Sequence, residues 1–319
     1  MLKTIQASQT ALHQTLTLRD GRTLGYAEYG SSTGFPLLYF HGFPSSRLEG
    51  WGFDKYPQRH GFRLIVPDRP GFGLSSFQPN RSITDWPADV QALTSHLGLS
   101  QFAILGGSGG GPYAIACAHQ LPSRMLSAVG VVAGAPPWIA GTEDVTMSRK
   151  ITAVAATSFP SALETVSDLL VMVLRRVATT GPVERWLDNW IDSMRREKEN
   201  QSEQKETSEV NLSTREARER MIRTSLEAFA QGSAAFVQEA RLLTQDWGFR
   251  FEDMAYPGIR IWHGTKDVNA PISMIRFMAE RLPQSVLHEV DEDHYNMGHY
   301  LEEIISDLIS KRADKRMGT

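Results

Sequence analysis

The chain has 319 residues, 41% of them hydrophobic and 22% charged, with a formal net charge of -3 and one cysteine. Such a length buries a substantial core, and the near-neutral charge gives no electrostatic reason to expect nucleic acid or an anionic membrane as partner. The lone Cys117 excludes an intrachain disulfide, and its place in the apolar run YAIACA marks a small buried side chain.

The opening stretch MLKTIQASQTALHQ lacks the continuous apolar segment of a secretory signal. No run approaches the roughly 18 apolar residues that span a bilayer. These features make a cytoplasmic chain the expectation. Residues 15–29, TLTLRDGRTLGYAEY, alternate around a glycine turn and predict an antiparallel hairpin. Short apolar runs at Pro36–Phe40, Arg63–Pro67, Phe102–Leu105 and Ala128–Ala133 then read as buried parallel strands, followed much later by Gly258–His263 and Ser285–Val290. Helical periodicity falls between them at 84–98, 110–122 and 271–283. Strands and helices alternating at this spacing predict an α/β fold, a mostly parallel sheet with helices on both faces.

The alternation stops between about Pro137 and Trp247, where the periodicity is helical throughout. Residues 138–247 are therefore read as an all-helical insertion, and 1–137 with 248–319 as the core. The charge run at 195–220 holds seven basic and seven acidic residues, a balance that argues for a solvated face rather than a phosphate-binding arm. The apolar stretches LLVMV and LEAFA are candidates to roof a pocket, or to pack the insertion onto itself. Trp138 and Trp247, near its junctions, are candidates for a pocket rim or for core packing. There are no internal repeats.

Residues 104–118 read ILGGSGGGPYAIACA, a single serine ringed by glycines. A dinucleotide fingerprint starting at Gly107 and Gly109 places Pro112 where its third glycine belongs. A P-loop built on Gly106 and Gly111 has Pro112 in place of its lysine, and so lacks the cation that reaches terminal phosphates. The strand-turn-helix template G-x-S-x-G fits instead, at Gly106 to Gly110. A turn this tight strains the serine backbone and presses strand and helix together, so glycine is required two residues to either side. Ser108 Oγ is then exposed at the sheet edge, with the Gly109 N–H pointing into the same space.

This stretch resembles the nucleophile elbow of the α/β-hydrolase superfamily, and other segments agree in order. HGFP (41–44) resembles the family's oxyanion loop, and PDRPGFGLS (67–75) its second turn, with Asp68 and Arg69 structural. WHGTKDVNAP (262–271) resembles the segment that carries its acid. The likeness covers roughly residues 22–137 and 250–310; the insertion is similar only to the variable cap of that family. The resemblance implies a mainly parallel eight-stranded sheet whose first strands are antiparallel, with catalysis at the C-terminal strand ends. HGFP is also similar to epoxide hydrolases, but those attack with a carboxylate where this chain has Ser108.

A serine hydroxyl needs a base and an orienting acid. The family order of serine, acid, histidine leaves His119, His263, His288, His294 and His299 as candidate bases. His119 lies on the helix after the elbow, and His263 and His288 lie within strand patterns. His294 follows the last strand in a loop, VDEDHYNMG, and is chosen over His299, which sits at the start of the last helix. Asp267, four residues after His263 in a loop before Pro271, is the chosen acid; Asp246 and Asp253 precede their strand and are set aside. Asp291, Glu292 and Asp293 stand where the family usually has a glycine; any of them facing the imidazole would raise its pKa, and Asp293 is a minor rival as acid. The Gly109 amide supplies one oxyanion donor and the resemblance places the other at Phe43; His41 is read as a brace within that loop rather than a base.

The expected function is hydrolysis of an ester, lactone or related acyl bond of a small, apolar molecule through an acyl-enzyme. The same machinery also runs aminopeptidase, thioesterase and carbon–carbon hydrolase or lyase chemistry, and some members with an intact triad are small-molecule receptors without turnover. No cofactor and no metal site is expected, since no ligand cluster such as H-E-x-x-H or C-x-x-C occurs. Oligomeric state is not legible.

Overall fold

The computed structural model describes residues 9–201 and 212–317, so residues 202–211 of the charge run lie outside it. Eight strands form one sheet: β1 (Gln14–Thr17), β2 (Thr23–Gly30), β3 (Phe35–Phe40), β4 (Phe62–Pro67), β5 (Phe102–Gly107), β6 (Leu126–Val132), β7 (Arg260–Gly264) and β8 (Val286–Val290), in the spatial order β1-β2-β4-β3-β5-β6-β7-β8. The β1–β2 hairpin and the β2–β4 pair are antiparallel, and all other neighbours are parallel. The hairpin and the six apolar runs of the sequence thus form the strands, with ends shifted by a residue or two.

Core helices α1 (Tyr56–His60), α2 (Trp86–His96) and α3 (Gly111–Gln120) connect the early strands. Proline occupies the first turn of α2 and α3, where its missing N–H costs nothing. Between β6 and β7 come α4 (Met147–Ser158), α5 (Pro160–Val177), α6 (Gly181–Gln201), α7 (Thr214–Glu227) and α8 (Ala234–Leu242), with no strand among the described residues there. Ser213 and Glu216 form a reciprocal cap at the start of α7. Helices α9 (Ile272–Arg281) and α10 (Leu301–Met317) follow β7 and β8.

Both faces of the central strands β3 to β7 are dry, as a parallel sheet requires, while the edge strands β1 and β8 are partly exposed. On β3, Leu38 and Phe40 join Trp86, Tyr113 and Ile275 on one side, while Leu37 and Tyr39 join Ile304, Ile305 and Leu308 on the other. Cys117 is buried, and its thiol pKa is raised well above the ordinary value by burial. Trp247 belongs to the core, packed with Phe249 and Phe251. No single helix among the described residues is long and apolar enough to cross a membrane; α4 and α5 are bent by 118° at their junction.

The inserted helices are fastened to the core by ions rather than by oil alone. Glu239 on α8 is fully buried and accepts from Arg69 Nε at 2.8 Å, from the Tyr113 hydroxyl at 2.7 Å and from Arg81. Burial opposes the charge of Glu239, but Arg69 and Arg81 outweigh it and hold the carboxyl below its ordinary value of 4.5. Two guanidiniums and one carboxylate bury together here, so removing the carboxylate strands both cations. Its stabilising effect is complete above pH 4.5 and is lost as pH falls through the lower folded-state value. Glu239→Gln is expected to cost about 3–5 kcal/mol near neutral pH. Urea unfolding followed by circular dichroism should give that gap, and the gap should close on acidification below pH 4.5.

Candidate active site

Four loops at the C-terminal ends of parallel strands meet in one place. Phe43 follows β3, Ser108 follows β5, Asp267 follows β7 and His294 follows β8. Ser108 is held at φ +47°, a left-handed conformation that few residues other than glycine adopt. The flanking glycines are dictated by contact. A Cβ on Gly106 would lie 2.5 Å from the Gly110 carbonyl oxygen, and one on Gly110 would lie 2.0 Å from the Phe40 carbonyl oxygen. Both obstacles are backbone, which cannot step aside.

Ser108 Oγ lies 3.0 Å from His294 Nε2, and His294 Nδ1 lies 2.6 Å from Asp267 Oδ2. The other Asp267 oxygen accepts the Asn269 and Ala270 N–H groups, each at 2.8 Å. Asp267 is 4% exposed. Burial works against its charge, yet the His294 hydrogen bond and the Ala270 amide prevail and keep its carboxyl below the usual value. The structure therefore brings Ser108, His294 and Asp267 into one hydrogen-bonded row, with the imidazole oriented at both nitrogens.

The other histidines are committed elsewhere. His119 stacks on Phe249 and His288 on Trp262, while His299 is exposed. His263 bonds the Ala270 carbonyl at 2.7 Å through Nε2, which also lies 3.4 Å from Asp267 Oδ2, and burial lowers its pKa. Asp293 turns away from the imidazole and accepts the Tyr295 and Asn296 amides, each at 2.9 Å. It is a loop-forming residue and not the orienting acid. Asp291 is drawn outward to Lys266 Nζ at 2.9 Å.

His41 is spent on its own loop. Its Nδ1 bonds the Gly42 carbonyl at 2.8 Å and its Nε2 accepts the Arg69 amide at 3.2 Å; burial, then Arg69, holds its pKa well below the ordinary value, so the ring is neutral. Arg69 also bonds the carbonyls of His41 and Gly42. Glu49 takes the Gly42 N–H at 2.9 Å and the Tyr39 hydroxyl. These two side chains fix the loop that carries Phe43, whose amide nitrogen would be 3.2 Å from a Cβ on Gly109. Glu49 and Glu239 escaped the sequence reading, for each meets its partner only through the fold.

A cavity of about 730 Å³ opens over the row, and Phe43, Ser108, Gly109 and His294 line it. Its outer wall comes from Ser148, Arg149, Thr152 and Ala153 of α4 and Phe236 and Ala240 of α8. LLVMV does not roof it: Leu169, Leu170, Met172 and Val173 on α5 are each more than half exposed. Among the described residues no group of three or more His, Cys, Asp or Glu side chains is placed to hold a metal ion.

A family model described as alpha/beta hydrolase fold matches residues 36–301. The chain is 36% identical over 126 residues to a non-heme chloroperoxidase of Streptomyces lividans, covering 39% of this chain and 45% of that protein. It is 35% identical over 135 residues to lipase 3 of Moraxella sp. (strain TA144), covering 40% and 41%. A proline iminopeptidase of Xylella fastidiosa (strain 9a5c) is 30% identical over 125 residues, covering 37% and 38%. The chain thus spans less than half the length of these curated relatives. Among solved structures, a carboxylesterase study of Nitrososphaera gargenis superposes with a TM-score of 0.61 at 15% identity, covering 96% of this chain and 100% of that one. The enol-lactonase of Burkholderia xenovorans LB400 gives 0.58 at 17%, covering 93% and 100%. At such identities these two likenesses speak for the fold alone.

The elbow's steric argument has a direct check. Gly110→Ala is expected to lower stability by about 1–3 kcal/mol or to prevent folding. Gly52→Ala, where no atom lies within 4 Å of the added Cβ, should change it by less than about 0.5 kcal/mol. Thermal melts of the two variants beside the parent make the comparison.

Proposed function

The chain belongs to the alpha/beta hydrolase family, and from the geometry of its cavity we propose that it is a serine hydrolase cleaving an ester, lactone or related acyl bond of a small molecule. The observation that carries this reading is the row Ser108–His294–Asp267, with contacts of 3.0 and 2.6 Å, opening into a largely apolar cavity. In the proposed mechanism His294 Nε2 takes the Ser108 proton as Oγ attacks the acyl carbon. Asp267 accepts from Nδ1–H, fixing the tautomer that leaves Nε2 free and stabilising the imidazolium that forms. The Phe43 and Gly109 amides receive the developing oxyanion, in a loop that Arg69 and Glu49 hold in place before substrate arrives.

His294 then returns the proton to the leaving alcohol, and the acyl-enzyme is opened by water activated at the same nitrogen. Residues 138–247 act as the cap, supplying the outer wall of the cavity from α4 and α8. The likeness over 135 residues to a lipase of Moraxella sp. agrees with acyl transfer. An aminopeptidase reading would need a free carboxylate for the substrate ammonium. Among the described lining residues only Glu49 is acidic, and both its oxygens are already engaged.

A fluorophosphonate is expected to label the parent protein at Ser108 and to leave Ser108→Ala unlabelled. Turnover of short-chain aryl esters should fall by about 10³-fold or more in Ser108→Ala and in His294→Ala. Undiminished turnover in Ser108→Ala would remove the serine mechanism. Labelling without turnover on any acyl ester, together with ligand-dependent thermal stabilisation, would turn the reading to a receptor.

A further inference from the structure

One charge on the cavity wall has no part in that chemistry. Helix α4 turns Ser148, Arg149, Thr152 and Ala153 toward the cavity, the spacing of one helical face, while Met147, Ile151 and Val154 stay exposed on the other. Arg149 is partly buried. Among the described residues no carboxylate lies within ion-pair distance of its guanidinium, and none accepts a hydrogen bond from it. The carboxylate of Asp267 favours its charged form from a distance, but is itself committed to His294, His263, Asn269 and Ala270. Burial lowers the pKa of Arg149 below its ordinary value, yet a guanidinium remains charged at any pH the fold survives.

The fully buried arginines among the described residues are treated otherwise, while Arg241, partly buried like Arg149 and with an unbonded Nε, lies outside the cavity lining. Arg47 is paired with Asp68, and Arg69 and Arg81 are paired with Glu239. A cation drawn out of water without a partner is costly, so one left open to a cavity marks a place where the ligand supplies the counter-charge. Arg149 and Glu49 are the lining residues of opposite charge, and Glu49 is satisfied by the Tyr39 hydroxyl and the Gly42 amide. Among the described lining residues the Arg149 guanidinium is thus the charged group whose hydrogen-bonding capacity is unused.

We propose that Arg149 binds a carboxylate of the substrate, so that the ester or lactone opened at Ser108 carries a carboxylate remote from the scissile bond. The planar guanidinium meets a carboxylate with two parallel N–H···O bonds, a geometry that lysine cannot reproduce. The identity of the reaction rests on the serine-hydrolase reading; the recognition of the anion does not. Substrate selectivity then lies in α4, part of the inserted helices, while the reacting groups lie on the sheet.

The test uses p-nitrophenyl hemiglutarate against its methyl ester, and para-acetoxybenzoate against its methyl ester, which place the charge on the acyl and on the leaving-group side. The parent is expected to favour the anion in at least one pair, by about tenfold or more in kcat/KM. Arg149→Met should bring that ratio close to one, and Arg149→Lys should keep part of it. No preference for the anion in either pair overturns the proposal, as does a ratio unchanged in an Arg149→Met protein that still melts cooperatively. Calorimetric binding of the same esters to Ser108→Ala separates the two readings. Anion-selective binding lost in Arg149→Met, with no turnover by the parent, keeps the carboxylate site at Arg149 and counts against the serine-hydrolase reading. Turnover of the neutral esters without anion preference does the reverse.

Discussion

A single backbone torsion organises the site: Ser108 at φ +47°, pinned between a buried strand and the helix that leaves it. The conformation is costly for any residue with a Cβ, and it survives because the surroundings leave the chain no other course. Gly106 and Gly110 let the two backbones approach to contact, and the Ser108 carbonyl accepts the Ala135 amide at 2.8 Å, tying the bend to the loop after β6. With the bend fixed, the Cα–Cβ bond of Ser108 has one direction to point, and the His294 contact selects where Oγ lies. The proposed chemistry needs no movement of this atom, only a base brought to it.

The remaining parts of the site are held by charges buried in pairs. Arg69 joins two functions, since it bonds the carbonyls of His41 and Gly42 on one side and Glu239 of α8 on the other. The loop that presents the Phe43 amide and the helix that closes the cavity thus share one guanidinium. Glu49 completes the loop from the opposite side through the Gly42 N–H. A preorganised donor is worth most where nothing must reorganise when charge develops, and this bracing supplies that condition for the proposed oxyanion site.

The inserted helices present two different faces. Toward the sheet, α4 and α8 give the cavity small and polar side chains together with Phe236. Phe236 stacks on Phe43 with ring centroids 5.2 Å apart. Toward solvent, α5 and α6 expose Leu169, Leu170, Val173, Trp186 and Trp190. The apolar periodicity of LLVMV thus belongs to the outer surface, because amphipathicity fixes which residues share a face but not what that face meets.

The sequence by itself determined the scaffold and its sharpest feature. Parallel strands buried on both sides leave continuous apolar runs, and a close approach of two backbones leaves glycines, so β3, β5 and the elbow at Ser108 were written locally. His294 and Asp267 were reachable because loops at strand ends are few and chain order limits the choices. Only the tertiary structure decided how the carboxylates are shared: Asp293 is spent on its own loop, Asp291 on Lys266, and Asp267 on His294. It alone paired Glu239 with Arg69 across 170 positions and left Arg149 facing the cavity without an ion-pair partner among the described residues. The physical reason is that steric and hydrophobic constraints act between near neighbours and mark the sequence with a period, whereas an ion pair depends on where distant segments meet in space.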